Sequence, residues 1–292
     1  MDLTILNDQP KYRPPRLLDP AQLGYLHLGA AVEPPAGRAP RPGSSHRKAA
    51  LLSRLSSLAR QLEALDTVVK ATVYRAVVVP PPGGYARVKA TRFARFDVVV
   101  LVETTSPEVI GEVEATEPYK LLLDALTGAA TDLHVMRARN VKRIGDVDKT
   151  RDGLFLFNYF VADDAEVALR LWDHLSGWYV VETGLDNSTL LEPLGDADYV
   201  FVNHARWDYG VPRFVLHQAK PSFPHLRHVE HAGQPDRRDA GAVPAGQVTT
   251  RTQTRLQAPA GRPGCSRTAP RRAAGSGEDL DRVSRAGRRT RA

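Results

Sequence analysis

The sequence predicts a soluble α+β fold built from two similar units, each an antiparallel sheet covered by helices, followed by a disordered tail. Two successive stretches repeat the same order of helical and strand-like segments, a short string recurs in both, and the composition changes abruptly near residue 233. The chain of 292 residues is 42% hydrophobic and 25% charged, which suits a globular protein with a core. We divide it into an N-terminal proline-rich segment (1–45), a first unit (46–150), a second unit (151–232) and a tail (233–292).

The start of the first unit follows a segment rich in proline and glycine. Residues 7–46 are predicted to be loop-like, with only a weak strand signal at Leu23–Leu28. Leucines then recur every three or four residues over 46–65, which predicts an amphipathic helix. Segments rich in Val, Thr and aromatic residues at Thr67–Val79 and Phe93–Thr104 predict two strands, with a proline–glycine turn after the first.

A second helix and a third strand extend this unit. Ser106 and Pro107 predict the start of the helix, since serine caps helix N-termini and proline fits the first turn. Pro118 is expected to interrupt the helix and Gly128 to end it, and a strand is predicted over Asp132–Arg139. The order helix, strand, strand, helix, strand is most of a ferredoxin-like unit.

The second unit repeats this pattern after residue 153. Leu154–Val161 predicts a buried strand, and Ala165–Val180 predicts a helix with an apolar stripe that contains two tryptophans. An extended segment at Ser188–Pro193 and a strand at Asp198–Ala205 follow. Val211–His228 predicts a helix weakened by two prolines. A final strand would complete the unit, but the tail begins where that strand is expected.

The net charge of +7 comes from the tail alone. Residues 233–292 contain 13 Arg, no Lys and five acidic residues, whereas residues 1–232 carry 27 basic and 28 acidic residues. The tail has no aromatic residue, so it buries too little apolar surface to offset the ordering entropy, and we expect it to be disordered. The alternative is a basic arm for nucleic acid, although no aromatic residue is available to stack on bases. We therefore expect nucleic-acid binding, if any, only through the tail.

Several classes of function lose support from the sequence. The single cysteine, Cys265, excludes a disulfide framework, and the longest apolar run, Val98–Val102, is too short for a membrane span. The N-terminus does not resemble a secretory signal, which predicts a cytoplasmic protein. The motifs of nucleophile-elbow hydrolases, P-loop proteins, dinucleotide-binding proteins and zinc proteases are absent. We accordingly expect no cofactor and no metal.

A short string recurs in the two units. Phe93-Ala94-Arg95-Phe96-Asp97 and His204-Ala205-Arg206-Trp207-Asp208 have an aromatic-type residue, Ala, Arg, a large aromatic residue and Asp in the same order. Because side chains alternate along a strand, the Arg and Asp of each string should share one face and the large aromatic residue should take the other. With Phe96 and Trp207 assigned to the helix-covered face, the two arginines are predicted to point between the sheets.

Four segments resemble the dimeric α/β-barrel superfamily, in particular its fused two-repeat members. They are FARFDVVVLVET (Phe93–Thr104), LFLFNYF (Leu154–Phe160), the helix that carries Trp172 and Trp178, and NHARWD (Asn203–Asp208). The resemblance implies two ferredoxin-like repeats that form a barrel of paired antiparallel sheets, in a monomer that mimics a dimer or in a homodimer. Relatives include cofactor-free monooxygenases of antibiotic biosynthesis, haem enzymes such as dye-decolorising peroxidases and chlorite dismutases, and proteins with no assigned activity.

The recurring string supplies the candidate site residues. An arginine that faces an enclosed space can bind a carboxylate or an enolate, because its planar guanidinium donates two parallel hydrogen bonds. His204, as a general base, and Arg206 are the candidate catalytic residues. Arg95, Asp97 and Asp208 are the candidate ligand-binding residues. The alternatives are that each Asp pairs with the Arg of its own string and that His204 is a structural histidine of the barrel.

Other histidines give weaker candidates. His217 on the last helix would be a haem ligand if the chain followed the haem-binding branches, although a lone helical histidine is more often a surface residue. His225, His228 and His231 recur at intervals of three, a spacing compatible with a metal site, but Pro224 and the tail favour an exposed segment.

The resemblance implies a small-molecule-binding barrel protein, with cofactor-independent monooxygenase-like activity on an aromatic or polyketide-like substrate as the leading interpretation. A non-catalytic ligand-binding or scaffold protein is the alternative, followed by a haem peroxidase-like enzyme. All three interpretations rest on similarity of fold, so only the geometry of the site can separate them.

Overall fold

The computed structural model describes residues 2–5, 9–36, 40–79, 94–162, 164–224, 226–229 and 247–252. Its strands are β1 (Asp2–Ile5), β2 (Gly24–Ala31), β3 (Val68–Val78), β4 (Val98–Thr104), β5 (Asp132–Gly145), β6 (Leu154–Phe160), β7 (Ser188–Pro193), β8 (Phe201–Trp207), β9 (Leu226–Val229) and β10 (Gln247–Thr252). The helices in the described ranges are α1 (His46–Glu63), α2 (Ile110–Ala115), α3 (Glu117–Thr127), α4 (Ala165–Thr183) and α5 (Val211–Gln218).

Eight of the strands form a closed antiparallel barrel, which confirms the predicted fold class. The order around the barrel is β10-β3-β4-β2-β5-β7-β8-β6, with β6 returning to β10, while β1 and β9 pair separately. The first half consists of β2, β3, β4 and β5, arranged in the order β5-β2-β4-β3. The second half consists of β6, β7, β8 and β10, arranged in the order β10-β6-β8-β7. Numbered along the chain, both halves have the strand order 4-1-3-2. The halves therefore have the same ferredoxin-like strand order, and they join at β5–β7 and at β3–β10.

The N-terminal segment contains a central strand that the sequence signalled only weakly. β2 lies between β4 and β5, and all eight of its residues are buried. Its sequence, GYLHLGAA, is rich in glycine and alanine, which have low strand propensity. Hydrogen bonding to two neighbours and complete burial override that propensity, so the expectation of a loop over residues 7–46 is wrong for residues 24–31.

The last strand of the barrel lies within the segment assigned to the tail. β10 pairs with β3 and β6 and takes the position of the fourth strand of the second unit, the one missing from the sequence analysis. Its sequence, QVTTRT, is a local exception to the surrounding composition, since valine and threonine favour strands. The other residues of the segment 233–292 lie outside the described ranges, and their disorder stays a prediction.

Most other predicted elements are confirmed within a few residues. Ser45 caps α1 by accepting a hydrogen bond from the backbone N–H of Lys48 at 3.2 Å. The helix expected from Ser106 begins later, at Ile110, and a new helix starts just before Pro118, as predicted. The final helix ends at Gln218 instead of His228, because the prolines that follow cannot donate the hydrogen bonds that a helix needs.

Alternation along the barrel strands separates a helix-covered face from an aromatic interior. On β4, Val98 and Val100 pack with α1 and α3, whereas Val99 and Leu101 face inward. On the β6 strand, the aromatic side chains at positions 155, 157 and 159 face inward, and Leu154 and Leu156 pack toward α4 and α5. The interior of the barrel is therefore built from one side chain in two along each strand.

A buried ion pair connects α1 to the entry of β4. The Lys48 ammonium contacts the Asp97 carboxylate, and the two side chains are 2% and 0% exposed. Asp97 also accepts the backbone N–H groups of Val32 at 2.6 Å and Glu33 at 2.9 Å. Lys48 Nζ donates to the carbonyl oxygen of Gly43 at 2.9 Å. Both charges are thus compensated by partners, which is the condition for tolerating an ion pair without water.

Replacing Lys48 with methionine should destabilise the protein strongly. The substitution Lys48→Met keeps the volume but leaves the Asp97 carboxylate buried without its counter-ion, which costs about 3–5 kcal/mol. The matched control is Lys70→Met, which breaks a partly exposed pair with Glu63 and should cost about 0–1 kcal/mol. Urea unfolding of both variants measures the difference, and equal losses would contradict the assigned role of the buried pair.

Candidate functional site

The interior of the barrel combines aromatic rings with three histidines. His27, His134 and His204 are 0%, 5% and 1% exposed. His27 Nε2 lies 3.1 Å from the Tyr159 hydroxyl, and His134 Nδ1 lies 3.3 Å from Asp198 Oδ2. The rings around them are those of Tyr74, Phe96, Phe155, Phe157, Tyr159 and Tyr199. Aromatic rings with a few titratable groups among them are the kind of lining that small-molecule sites have.

His204 lies in this aromatic wall, on the inward face of β8. Its ring stacks on Phe157 at 4.6 Å and on Phe155 at 5.6 Å, measured between centroids. The ring of Tyr74 approaches it edge-on at 5.5 Å. These ring contacts fix the orientation of the imidazole.

The environment keeps the imidazole of His204 neutral. Burial holds the pKa of His204 well below its usual range, and the positive charge of Lys149 and the nearby His27 lower it further. Its Nε2 atom is buried and has no hydrogen-bond partner among the described residues. A neutral imidazole nitrogen without a partner can accept a proton, which is what a general base requires.

Two hydroxyls beside His204 have no partner among the described residues apart from each other. Thr72 and Tyr74 are two residues apart on the inward face of β3 and are 3% and 0% exposed. Burial and the Glu103 carboxylate raise the pKa of Tyr74 well above its usual range, which the interaction with the Thr72 hydroxyl partly offsets, so the phenol stays protonated. A buried polar group without a partner costs about 1–3 kcal/mol, so this pair of hydroxyls beside the unpartnered His204 Nε2 favours a functional interpretation.

A second ion pair lies where the segment 146–153 covers one end of the barrel. Lys149 Nζ is 3.0 Å from Glu103 Oε1, and the side chains are 10% and 9% exposed. Val147 of the same segment is buried against the interior rings. The segment thus brings a positive charge toward His204, which accounts for part of the depressed pKa of that residue.

Arg206 lies between this interior and the surface. Its side chain is 5% exposed, and Nη2 donates at 2.6 Å to both the carbonyl oxygen of Asp152 and the carboxylate of Asp208. The guanidinium carbon is 5.9 Å from the ring centroid of Phe155, while Asp208 is 64% exposed and also pairs with Arg151 at 3.0 Å. Arg206 therefore contacts the aromatic wall on one side and solvent-exposed charges on the other.

A cleft of about 350 Å³ opens outside Arg206. Its buried lining residues are Thr183, Asn187, Arg206 and Trp207, and Arg151 and Arg213 are among its charged ones. The side chain of Asn187 accepts the backbone N–H of Arg206 and donates to its carbonyl, both at 2.9 Å. This volume is in the range of small-molecule pockets, and the two hydrogen bonds hold the β8 backbone in place behind it.

The structure brings together three of the five predicted site residues. His204, Arg206 and Asp208 lie on or next to the inward face of β8, as predicted. Arg95 instead donates a hydrogen bond to the carbonyl oxygen of Pro35, and Asp97 pairs with Lys48. The two strings therefore occupy different environments.

The prediction that Arg95 points between the sheets and Phe96 toward the helices is wrong. Residues 94–97 precede β4, which begins at Val98, so strand alternation does not extend over them. Phe96 packs in the barrel interior, 5.5 Å from the ring of Tyr159. Trp207, which is inside a strand, does pack on the helix-covered side, as predicted.

The other histidine candidates gain no support as ligands. His217 lies on α5 with its ring 5.7 Å from that of Tyr209, and burial together with Lys220 and Arg213 lowers its pKa. That helix buries Phe214 outside the barrel, so His217 has no access to the interior rings. His225, His231 and the side chain of His228 lie outside the described part of the structure.

The described residues contain no group of three His, Cys, Asp or Glu side chains arranged to hold a metal ion. None of their helices has the length and apolar character needed to cross a membrane.

Solved structures that match this chain differ widely from it in sequence. An anthrone oxidase-like protein is 14% identical over 84% of this chain and 100% of its own, with a TM-score of 0.49. A proposed monooxygenase from Lactobacillus acidophilus NCFM is 10% identical over 80% and 95%, with a TM-score of 0.44. A mutant chlorite dismutase from Candidatus Nitrospira defluvii, in complex with cyanide, is 10% identical over 79% and 91%, with a TM-score of 0.39. No protein-family model matches the sequence, and no curated protein is significantly similar to it.

The buried imidazole should make the stability of the protein depend on pH. Because the pKa of His204 is lower in the folded than in the unfolded chain, the unfolded chain binds the proton first, and stability falls as the pH drops through 6.5. The variant His204→Phe keeps the ring stacking and removes the titrating group, so its free energy of unfolding should fall less on acidification. His46→Phe, at an exposed position, is the control. An unchanged pH dependence in His204→Phe would contradict a neutral buried imidazole.

The position of Arg206 should also depend on Gly153. A Cβ atom at residue 153 would lie 2.7 Å from the Trp207 carbonyl oxygen and 2.8 Å from Arg206 Nε, so Gly153→Ala should displace β8 and lower the melting temperature. The control is Gly111→Ala, in helix α2, where an added Cβ meets nothing within 4 Å and should stabilise by about 0.5–1 kcal/mol. Thermal unfolding of the two variants should shift in opposite directions, and a stabilising Gly153→Ala would count against the tight packing.

Proposed function

We propose that the protein is an enzyme that binds an aromatic or polyketide-like compound in the barrel and oxidises it with O2 without a cofactor. The observation that carries this proposal is the buried, neutral His204, whose Nε2 has no partner among the described residues and faces an aromatic wall. The aromatic wall suits a substrate with a flat ring. The imidazole can take the proton of that substrate when the anion that forms stays beside it and stabilises the imidazolium.

His204 acts as the general base in this proposal. It removes a proton from a phenolic or enolic substrate, and the resulting anion is electron-rich enough to transfer electrons directly to O2. For a substrate with a reactive methylene group, one oxygen atom becomes the carbonyl oxygen of the product, and the other leaves as water with the two hydrogens of that methylene. The substrate is the reductant and O2 is the oxidant, so the reaction balances without another electron donor.

Arg206 stabilises the substrate anion. It lies two residues from His204 on the same strand face, and its guanidinium contacts the edge of the aromatic wall. A fixed positive charge in a site shielded from water lowers the energy of an anion that forms during the reaction. Asp208 and the Asp152 carbonyl hold the guanidinium in place, and the outer cleft gives the polar end of a ligand a place to bind.

The equal strand order of the two units supports the interpretation of the chain as a fused two-repeat member of the dimeric α/β-barrel superfamily. In that interpretation one chain supplies both halves of the barrel. Arg95 and Asp97 have structural partners and take no part in the proposed site.

Oxygen uptake with anthrone as the substrate, whose enol form is a phenol, tests the proposal. His204→Phe should reduce the rate about 100-fold or more, as expected for loss of a general base, and Arg206→Met should also reduce it about 100-fold, since it removes the charge that stabilises the anion. His217→Phe, a histidine outside the barrel, should leave the rate unchanged.

Two other outcomes would overturn the proposal. Tight binding of aromatic compounds with no oxygen uptake would support the non-catalytic ligand-binding alternative. A strong visible absorption band of the purified protein that is needed for activity would support a haem enzyme instead.

A further inference from the structure

We propose that Thr72, Tyr74 and His204 together form a subsite inside the barrel that binds the hydroxyl group of a neutral phenol. This inference rests on the proposed function for placing an aromatic substrate in the barrel, and it specifies which chemical group of that substrate is recognised. The three residues come from two strands, β3 and β8, that are distant in sequence, and each is at least nine-tenths buried.

The geometry brings the three polar groups to one region. The rings of Tyr74 and His204 are 5.5 Å apart between centroids, in an edge-on arrangement. Thr72 precedes Tyr74 by two residues, so its side chain lies on the same inward face of β3. His204 Nε2 has no hydrogen-bond partner in the described ranges, and the hydroxyls of Thr72 and Tyr74 have none there except each other. Native cores satisfy such groups, so their clustering indicates that a bound molecule supplies the missing bonds.

The chemistry of the three groups selects the ligand. In the tautomer that carries its proton on Nδ1, His204 accepts a hydrogen bond at Nε2, and the hydroxyls of Thr72 and Tyr74 can donate one. Only a ligand group that both donates and accepts satisfies all of them, which a hydroxyl does. An ether or a ketone accepts only, and it would leave the imidazole nitrogen unmet. A carboxylate also accepts only, so it would leave the imidazole nitrogen without a donor as well.

The surrounding rings favour a phenol over an aliphatic alcohol. Phe155 and Phe157 lie 5.1 Å and 5.0 Å from the ring of Tyr74, and both also stack on His204. Such rings form a wall against which a flat aromatic ligand packs with favourable stacking. In the proposed reaction, Tyr74 and Thr72 then keep their hydrogen bonds to the phenolic oxygen while His204 removes its proton.

Binding of 2-naphthol, compared with 2-methoxynaphthalene, tests the subsite without requiring turnover. The two probes share the ring system, but the methyl ether cannot donate a hydrogen bond. Equilibrium dialysis with the full chain should give about tenfold or more tighter binding of the naphthol, as expected for one or two net hydrogen bonds. Equal affinities for the two probes would overturn the proposal.

Variants of Thr72, Tyr74 and His204 test whether these residues cause the preference for 2-naphthol. Tyr74→Phe and Thr72→Val should each reduce the preference for naphthol about threefold to tenfold and leave binding of the ether unchanged. His204→Phe should abolish the preference. Tyr119→Phe, which alters a buried tyrosine on α3 outside the barrel interior, is the matched control and should keep it.

Stability measurements separate a ligand site from a structural role. Removing a hydroxyl that has no partner in the described ranges except the other hydroxyl should leave the melting temperature of Tyr74→Phe and Thr72→Val unchanged or raise it. A clear loss of stability together with an unchanged preference for naphthol would show that the hydroxyls hold only a structural water, and would overturn the subsite.

The test also separates this proposal from the proposed function. A preference for naphthol that depends on Tyr74, without oxygen uptake on anthrone, supports the subsite and overturns the oxidase reaction. Oxygen uptake that depends on His204, without any preference for naphthol, does the reverse.

Discussion

The Asp97 residue holds the first unit of the barrel together. Its carboxylate pairs with the ammonium of Lys48 and accepts hydrogen bonds from the backbone N–H groups of Val32 and Glu33. Its own backbone N–H donates to Ala30 at 3.0 Å, and its carbonyl accepts from Ala76 at 2.9 Å. One residue therefore ties the end of β2, the start of α1, the end of β3 and the entry of β4. A carboxylate removed from water is stable only while all these partners are in place, so the elements are constrained to assemble together.

Closure of the barrel determines the chemistry of its interior. Once the strands form a ring, the inward residues can contact only one another and whatever the barrel binds. For His204 this means stacking on phenylalanines and loss of water, which disfavours the charged imidazole. For Tyr74 the same burial disfavours the phenolate. The same desolvation thus leaves an acceptor and a donor side by side, both uncharged at neutral pH.

Strand periodicity predicted much of the fold and part of the site. His204 and Arg206 were placed correctly on one face because they lie inside β8, where alternation holds. Arg95 and Asp97 were misplaced because alternation was extended over residues that precede β4. Thr72 and Tyr74 gave no signal, since threonine and tyrosine are ordinary strand formers. Only the three-dimensional arrangement reveals that their hydroxyls have no partner but each other among the described residues, and a linear pattern does not contain that information.

The position of β10 between β3 and β6 means that the barrel is completed by a part of the chain that the ribosome makes late. The four strands of the first half, β2 to β5, precede all the strands of the second half in the chain, so the first half can pair by itself. The second half lacks its fourth strand until residues 247–252 are made. Until β10 pairs, β3 and β6 are two unpaired edges of one open sheet. The final strand removes both edges at once and closes the ring around the inward residues.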